Sequence, residues 1–451
     1  MEVINEHPGT PRRGPNGVAA RTAVHAGDPD GANGGSNAEG AAPSREAVND
    51  HPDILLYTRL RKSPYFYASR RHGVTRYSVY NHTYHPRHYG DPIEEYWHLV
   101  EGVTLWDVGV ERQVEISGPD AFDFTNMLVP RDLNKCAVGQ CKYVFVTAED
   151  GGIVNDPVLL RVEDNRFWLS LADSDVLLYA LGLKHHSGYD VTIREVDVAP
   201  VQVQGPRSTG VMVDLFGESV LDIPYYYLRP YDLAGMDVLV SRTGYSGELG
   251  YEIYLKNATR DAIRLWDTVL EAGRPHGLAV IGPSHIRRIE AGILAYGADM
   301  DLSTNPFEVG IGYRWMVDLD QKADFLGKRA LARAKAEGVS RKLVGVRIGG
   351  SRLGSYNDGS MIDVFPTYRG DTEVGRMTSA CYSPRLDANI GYAMLPVELT
   401  ELGTEIDVDT PSGRVPAVVA EKPFLDPTKE TPKQRLRPEP GEATPAGVPT
   451  G

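Results

Sequence analysis

Two acidic residues, each next to a glycine-rich turn and an apolar strand, are the side chains in this sequence best placed for chemistry. Asp156 follows a Gly-Gly turn and Tyr143, and Glu252 follows a Ser-Gly turn and Tyr245. A carboxylate can accept two hydrogen bonds from ring N–H groups, while aromatic side chains supply a stacking surface. The pattern therefore favours recognition of a flat, nitrogen-rich ring, although the same turns also join the strands of ordinary β-hairpins.

A second group of candidates lies in an aromatic and basic stretch at residues 64–89. His82, His85 and His88 are three residues apart, which invites comparison with a metal site. Pro86 breaks the helix that would align them, and no carboxylate or cysteine completes a tetrahedral ligand set. We therefore predict no metal site, and we interpret the stretch either as one wall of a substrate pocket or as a packed aromatic loop.

Composition limits the classes of function that this chain can have. Its 451 residues are enough for two or three domains. The formal net charge of −14 disfavours sequence-independent binding to nucleic acid or to anionic membranes, which both need a basic face. No stretch approaches the roughly 20 apolar residues that span a bilayer, and no signal peptide is evident. The three cysteines lack metal-type spacing and indicate reduced thiols in a cytoplasmic protein.

The elements around these candidates alternate between strand and helix patterns. Alternating apolar residues predict strands, and a 3.6-residue apolar period predicts helices. The strand patterns lie at residues 112–118, 143–147, 158–162, 166–171 and 191–204, and the helix patterns at residues 94–102, 119–128, 176–183, 208–216, 262–273 and 285–296. From Lys342 onward, short strands between Gly and Pro turns predict a separate all-β unit. The order of elements indicates an α+β protein with a C-terminal barrel.

The two ends of the chain differ in composition from the rest. Residues 1–50 are rich in Gly, Ala, Pro, Asn and Asp, so they cannot bury enough surface to offset the entropy of ordering. Residues 425–451 are rich in Pro, Thr, Lys and Glu. We predict that both ends are disordered, and that the ordered part divides into residues 51–340 and a β-barrel domain at residues 341–424.

Six motifs follow one another in the order that is found in one protein family. They occupy residues 151–156, 243–253, 288–300, 305–312, 325–331 and 375–386. Over roughly residues 90–425 the chain resembles the folate-binding aminomethyltransferase superfamily, which includes the T-protein of glycine cleavage and the tetrahydrofolate-dependent demethylases. The resemblance implies a three-lobed, T-protein-like fold, in which residues 51–340 form two α+β lobes and tetrahydrofolate occupies a central channel.

The resemblance also implies roles for the two acids and their tyrosines. An acid at the position of Asp156 lies beside the reactive edge of the folate, and an acid at the position of Glu252 holds the amino and ring N–H groups of the pterin. Tyrosines at the positions of Tyr143 and Tyr245 line the same channel. We therefore predict that all four residues bind the cofactor and that Asp156 and Tyr245 are catalytic.

The substrate-facing wall is expected in the aromatic stretches of the chain. We predict that Tyr80, His82, His85 and Tyr226 contact the substrate. If that substrate is an aryl ether, its leaving phenolate needs a proton, which Tyr245 or a histidine could donate. If it is a sulfonium, the leaving group departs neutral and needs no acid.

Several further motifs distinguish between branches of the family. Residues 80–84, 106–115, 130–133, 138–141 and 172–175 resemble the demethylase branch, which acts on dimethylsulfoniopropionate or on aryl methyl ethers such as vanillate and syringate. The chain has Asn155-Asp156 where T-proteins usually carry Asp-Asp, and Pro283-Ser-His285 where they usually carry Ala-Arg-Asp. It departs from the sulfonium demethylases too, because it has Tyr245-Ser-Gly-Glu where they tend to have Trp-Ser-Lys-Gln.

These motifs lead to one functional hypothesis and two alternatives. The hypothesis is transfer of a methyl group from a small methylated substrate to N5 of tetrahydrofolate. In the first alternative, the protein is an aminomethyltransferase of a glycine cleavage system, with a lipoyl carrier protein as its partner. In the second, it binds folate without turnover, because the basic residue expected at the position of Ser284 is missing.

Overall fold

Antiparallel sheets dominate the computed structural model, which describes residues 57–354 and 365–437. The predicted tail at residues 1–50, and residues 438–451 of the other predicted tail, lie outside these ranges. In chain order the strands are β1 (Arg61–Lys62), β2 (Arg76–Tyr80), β3 (Thr83–His88), β4 (Thr104–Asp107), β5 (Gln113–Ser117), β6 (Cys141–Tyr143), β7 (Val146–Thr147), β8 (Ile153–Asn155), β9 (Val158–Glu163), β10 (Arg166–Ser170), β11 (Thr192–Glu195), β12 (Val198–Gln204), β13 (Leu228–Leu233), β14 (Met236–Ser241), β15 (Gly250–Lys256), β16 (Ala279–Val280), β17 (Arg341–Ile348), β18 (Pro366–Arg369), β19 (Thr372–Ser383), β20 (Ala388–Pro396), β21 (Glu405–Thr410) and β22 (Gly413–Ala420). The helices are α1 (Phe66–Arg71), α2 (Pro92–Glu101), α3 (Ala121–Leu128), α4 (Val176–Ser187), α5 (Ser208–Phe216), α6 (Ala258–Gly273), α7 (His285–Glu290), α8 (Lys328–Glu337) and α9 (Glu430–Lys433).

Two large sheets carry the acids that the sequence singles out. One has the strand order β11-β5-β10-β9-β6 and packs its apolar face against α3 and α4. The other has the order β13-β14-β15-β12-β4-β16 and packs against α5 and α6. Alternate residues of β12 and β15, such as Val201 and Ile253, are fully buried in that core. These sheets, with a smaller one of β1, β2 and β3, form the part that precedes the barrel.

The C-terminal strands close into a barrel with the order β17-β20-β19-β18-β21-β22. One apolar cluster joins the barrel to the preceding part of the chain. The barrel residues Cys381, Ile390 and Tyr392 belong to it. They pack with Ile289 of α7 and with Phe145, which lies between β6 and β7. The prediction of an α+β fold with a C-terminal β-barrel is therefore confirmed.

Helix α7 is shorter than its sequence pattern. The pattern extends from residue 285 to 296, whereas the helix ends at Glu290. Gly292 has a φ of +71°, a left-handed conformation that a helix cannot contain. A side chain at this position would also meet the ring of Pro423 at 2.7 Å, so the chain turns here against the residues that leave the barrel.

The prediction that the chain is disordered from residue 425 onward is wrong for residues 425–437. This segment contains α9 and reaches back to the six-stranded sheet, where Leu436 packs against its core. Composition concealed this order because part of the attachment is through two backbone carbonyl groups of the segment, which accept hydrogen bonds from Arg242. Such contacts leave no apolar pattern in the sequence.

Two smaller findings bear on the compositional predictions. Cys136, Cys141 and Cys381 are all buried as free thiols. Among the helices of residues 57–354 and 365–437, none combines the length and apolar character that crossing a membrane requires.

Candidate active site

A cavity of about 700 Å³ lies where the three sheets, α7, the barrel strand β19 and the segment after the barrel come together. Seven of the eight predicted site residues line it: Tyr80, His85, Tyr143, Asp156, Tyr226, Tyr245 and Glu252. The eighth, His82, does not. Residues that are more than 170 positions apart in the sequence therefore share one chamber.

Asp156 has one hydrogen-bonded oxygen and one without a partner. The residue directly follows β8, and strand pairing places Tyr143 of β6 opposite Val158 of β9, two residues further along. The Tyr143 hydroxyl donates to Asp156 Oδ2 at 2.9 Å. Asp156 Oδ1 is buried and accepts no hydrogen bond from any residue that the structure describes. Burial raises the pKa of Asp156 to about 8, so its carboxyl is poised to exchange a proton near neutral pH.

Glu252 is surrounded by donors. It lies on β15, opposite Gln202 of β12. The Gln202 amide donates to Oε1 at 2.6 Å, and Oε2 accepts from the hydroxyls of Thr243 and Tyr254, the latter at 2.9 Å. A carboxylate has about four acceptor positions, so roughly one remains for a ligand. The two-point contact to a pterin that the sequence predicts therefore has less room than expected.

The turn between β14 and β15 positions Tyr245. Its backbone N–H donates to Gln202 Oε1 at 3.3 Å, and its hydroxyl donates to the carbonyl of Leu294 at 3.2 Å. Burial raises the pKa of Tyr245 to about 12, so the phenol stays protonated at neutral pH. Gly247 in the same turn has a φ of +66°, and a side chain there would meet Ala291 at 2.5 Å. The turn therefore accepts only glycine at this position without rearrangement.

Tyr80 and His85 form an aromatic corner of the cavity, with their ring centroids 5.7 Å apart. Neither ring nitrogen of His85 forms a hydrogen bond within the described ranges, and burial lowers the pKa of His85 well below its usual value. This imidazole is therefore neutral. Tyr226 lines the cavity next to Tyr225, whose ring is 4.8 Å away.

His82 is the predicted site residue that the structure places elsewhere, so its assignment to the substrate wall is wrong. It occupies the turn between β2 and β3, with a φ of +57°, and its side chain is 64% exposed. Its Nε2 lies 3.5 Å from Asp175 Oδ1, outside the cavity. A turn residue projects away from both strands, which the regular spacing of the three histidines does not reveal.

Glu111 is a cavity residue that the sequence reasoning missed. It lies two residues before the start of β5, and its Oε2 accepts a hydrogen bond from Ser170 at 2.8 Å. Burial raises the pKa of Glu111 well above its usual value, and the nearby charges of Glu252 and Asp156 raise it further. Glu111 lies within residues 106–115, one of the motifs of the demethylase branch, so that motif was the available signal.

Two buried arginines of α7 line the cavity but are already paired. Arg287 Nε donates to Glu248 at 2.7 Å. Arg288 Nη1 donates to Asp299 at 2.7 Å, and its Nη2 donates to Ser379 of the barrel, also at 2.7 Å. These side chains hold the barrel against the preceding sheets. Arg287 Nη1 lies 3.8 Å from Glu290 Oε2 and forms no hydrogen bond among the described residues.

Comparisons with known proteins agree with this architecture. Residues 66–321 match the protein family described as "GCVT N-terminal domain". Residues 341–426 match the family described as "Glycine cleavage T-protein C-terminal barrel domain". The chain is 35% identical over 368 residues to the dimethylsulfoniopropionate demethylase DmdA of Ruegeria pomeroyi, covering 82% of this chain and 98% of that protein. It is 32% identical over 371 residues to an aminomethyltransferase of Bacillus pumilus, covering 81% and 98%.

A solved structure extends the comparison to the fold. The glycine cleavage system aminomethyltransferase T of Bartonella henselae superposes with a TM-score of 0.71 and covers 82% of this chain and 99% of its own. The sequence identity is 22%, so this similarity concerns the fold. Taken with the family matches, it shows that the chain belongs to the glycine cleavage T-protein family and is a tetrahydrofolate-dependent transferase of one-carbon groups.

Proposed function

We propose that this protein is a demethylase that moves a methyl group from a small, positively charged methyl donor to tetrahydrofolate. The observation that carries the proposal is the unpartnered oxygen of Asp156 in an acidic chamber lined by tyrosines. A buried carboxylate oxygen without a hydrogen-bond donor is costly to maintain. It is therefore expected where a ligand supplies the missing donor.

The residues of the cavity fit tetrahydrofolate. Glu252 keeps about one acceptor position for a ring N–H group, and Tyr143, Tyr226 and Tyr245 supply aromatic surface around it. Asp156 Oδ1 offers a second, separate acceptor. When bound, tetrahydrofolate supplies the nitrogen nucleophile that accepts the methyl group.

The protein's own contribution is alignment and proton handling. Glu252 fixes the ring through a carboxylate that Gln202 holds at Oε1 and Tyr254 holds at Oε2. Asp156 Oδ1 can hold the proton that the nitrogen releases, since its pKa of about 8 allows proton uptake and release near neutral pH. Tyr143 keeps that carboxyl oriented. Alignment of two reactants is worth roughly 7–11 kcal/mol in favourable cases.

The lining of the chamber favours a sulfonium or quaternary ammonium donor over an aryl ether. Tyrosine rings attract an onium cation, whose leaving group departs neutral. An aryl ether needs an acid, and none of the expected acids is available. His82 lies outside the cavity, His85 is neutral, and the Tyr245 proton is directed at the carbonyl of Leu294. The name of the Ruegeria relative describes a sulfonium substrate, which supports the same class here.

A screen of methyl donors tests the proposal. The protein and tetrahydrofolate are incubated separately with dimethylsulfoniopropionate, glycine betaine, vanillate and syringate, and the folate product is identified by mass. We expect 5-methyltetrahydrofolate with one or more of the onium donors and none with the aryl ethers. Methyl transfer from vanillate or syringate alone would contradict the donor class, although the protein would still be a demethylase.

The second candidate function is aminomethyl transfer from a lipoyl carrier protein. It is supported by the 32% identity to an aminomethyltransferase over 98% of that protein's length. The same screen therefore includes an aminomethyl-lipoyl protein, and 5,10-methylenetetrahydrofolate from this donor alone would replace the demethylase proposal. Binding of folate without any product would favour the non-catalytic alternative. Ser284, which raised that alternative, caps α7 by accepting a hydrogen bond from Arg287 N–H.

The buried free thiols support a cytoplasmic location.

A further inference from the structure

The segment that follows the barrel, residues 425–437, forms part of the cavity wall. The N–H of Leu425 donates to the carbonyl of Glu290, at the end of α7, over 2.9 Å. Near the other end of the segment, Arg437 forms an ion pair with Asp222 at 3.0 Å. The segment is therefore fixed at two points on opposite sides of its helix α9.

The middle of the segment is tied to the turn that positions Glu252. The guanidinium of Arg242 is buried and donates to the carbonyl of Pro432 at 2.8 Å and to that of Gln434 at 3.3 Å. Arg242 is followed directly by Thr243, whose hydroxyl donates to Glu252. The segment and the cofactor-binding turn are thus held by adjacent residues of one loop.

Lys429 brings a positive charge into this wall. Its backbone has a φ of +56°, and its N–H donates to the carbonyl of Asp426 at 2.9 Å. Its ammonium group forms no hydrogen bond or ion pair with any residue in the described ranges. The carboxylate of Asp426 accepts instead from the N–H groups of Glu430 (2.8 Å) and Thr431 (2.9 Å), at the start of α9. Burial lowers the pKa of Lys429, which reflects its partly desolvated position.

An ammonium group in a cavity wall without a counterion is suited to an anionic ligand. Arg288 is engaged by Asp299 and Ser379. Arg287 is engaged at Nε by Glu248 and at Nη2 by the carbonyl of Gly247, and its buried Nη1 forms no hydrogen bond among the described residues. We propose that Lys429 binds a ligand carboxylate, and that residues 425–437 exist in this position to present it. The inference rests on the proposed function, since both tetrahydrofolate and a donor such as a sulfonium carboxylic acid carry carboxylates. Binding measurements with each ligand distinguish the two sources of the carboxylate.

Substitution of Lys429 tests the inference by a binding measurement. Isothermal titration calorimetry with 5-formyltetrahydrofolate compares the wild type with Lys429→Met. If the glutamyl tail is the partner, we expect affinity to fall about tenfold, the order expected for loss of one charge-assisted hydrogen bond. Lys429→Arg keeps the charge and should retain most of the affinity, which would exclude a purely structural effect.

Lys433 provides a matched control in the same segment, because it is the last residue of α9 and Lys429 immediately precedes that helix. Its ammonium donates to the carbonyl of Thr428 at 2.9 Å, and it does not line the cavity. Lys433→Met removes the same charge from the same segment, so it should leave binding within about twofold of the wild type if the effect at Lys429 is a direct contact. Thermal unfolding of all variants shows whether the segment still folds.

Two further probes identify the source of the carboxylate. A tetrahydropterin without the glutamyl tail should bind the wild type and Lys429→Met equally if the tail is the partner. If the donor supplies the carboxylate, 5-formyltetrahydrofolate binding stays unchanged. In that case, when 5-formyltetrahydrofolate is present, Lys429→Met weakens the binding of dimethylsulfoniopropionate but does not weaken the binding of the trimethylsulfonium ion, which has no carboxylate. Either pattern supports the inference.

Other outcomes would overturn it. Equal affinities of the wild type and Lys429→Met for every probe would exclude a contact, as would equal losses in Lys429→Met and Lys433→Met. Loss of binding on Arg376→Met alone would assign the carboxylate to that barrel residue, which also lines the cavity. A wild type that binds no folate would contradict the proposed function itself, so the two failures are distinguishable.

Discussion

Asp156 and Glu252 line the same cavity but differ in how completely the protein satisfies them. Glu252 accepts hydrogen bonds from Gln202 of β12, from Tyr254 of β15 and from Thr243 in the turn after β14. Within the part of the chain that the structure describes, Asp156 accepts a side-chain hydrogen bond from Tyr143 and keeps a buried oxygen without a donor. A carboxylate held by many donors is fixed in place, whereas one with a vacant acceptor can exchange a proton or bind a new donor.

This difference separates two tasks in one chamber. The strand register that pairs Gln202 with Glu252 makes the Glu252 side a rigid binding surface. The Asp156 side is built at the end of a short strand, β8, and its carboxyl has a pKa of about 8. We therefore expect substitutions at Glu252 to act on cofactor affinity and substitutions at Asp156 to act on the reaction.

The largest expected effect is that of Asp156→Asn on turnover. The amide keeps the size of the side chain but cannot accept a proton, so kcat should fall about 100-fold or more. The affinity for folate should change only a few-fold, because Glu252 and the tyrosines remain. Steady-state kinetics with the donor found by the screen and calorimetry with folate measure the two quantities separately.

Asp190→Asn is a suitable control for this prediction. Asp190 is an exposed carboxylate in the same sheet region and does not line the cavity. Its substitution should leave both kcat and folate affinity unchanged. Equal losses of turnover and affinity in Asp156→Asn would mean that Asp156 binds the cofactor like Glu252, and the division of tasks would be lost.

The next largest effect is that of Glu252→Gln on folate affinity. The substitution removes the negative charge that three donors surround, so the dissociation constant should rise about 10- to 100-fold. At saturating folate, kcat should fall less than it does in Asp156→Asn. Calorimetry and kcat at saturation provide the measurement. A variant that binds folate normally but turns over slowly would reverse the assignment.

The smallest effect concerns stability as a function of pH. An ordinary aspartate has a pKa near 4, and burial raises that of Asp156 to about 8. Between these values the folded protein holds a proton that the unfolded chain releases, so this group's contribution to stability is lost as pH rises from about 4 to about 8. Without ligand, Asp156→Asn should therefore gain in Tm relative to the wild type between pH 5 and 9, by about 2 °C or more. Parallel Tm curves for the two proteins would contradict the raised pKa.

Much of the site could be predicted because its residues follow local sequence signals. Asp156 and Glu252 lie beside glycine-rich turns and next to strands, and the order of six motifs indicated the family. Tyr80, His85, Tyr143, Tyr226 and Tyr245 then followed from their positions in aromatic stretches or motifs. All of these residues line the cavity, although their individual roles remain predictions.

The remainder depends on contacts that no local pattern records. Gln202 reaches Glu252 through strand pairing across 50 residues, and Arg288 reaches Asp299 through a turn that ends α7 early. His82 was misassigned because it belongs to the aromatic and basic stretch at residues 64–89, while the direction of a side chain in a turn depends on its backbone. The order in residues 425–437 depends on Arg242, almost 200 positions earlier.

The attachment of residues 425–437 to Arg242 also has a consequence for how the protein is made. A chain emerges from the ribosome from its N-terminus, and its earlier domains can fold first. Here the sheets and the barrel are complete by Ala420, yet Leu425, Lys429 and Pro432 of the cavity wall are synthesised later. The chamber therefore stays open on one side during synthesis, and it acquires its full set of walls only as the last described residues join the first-formed sheets.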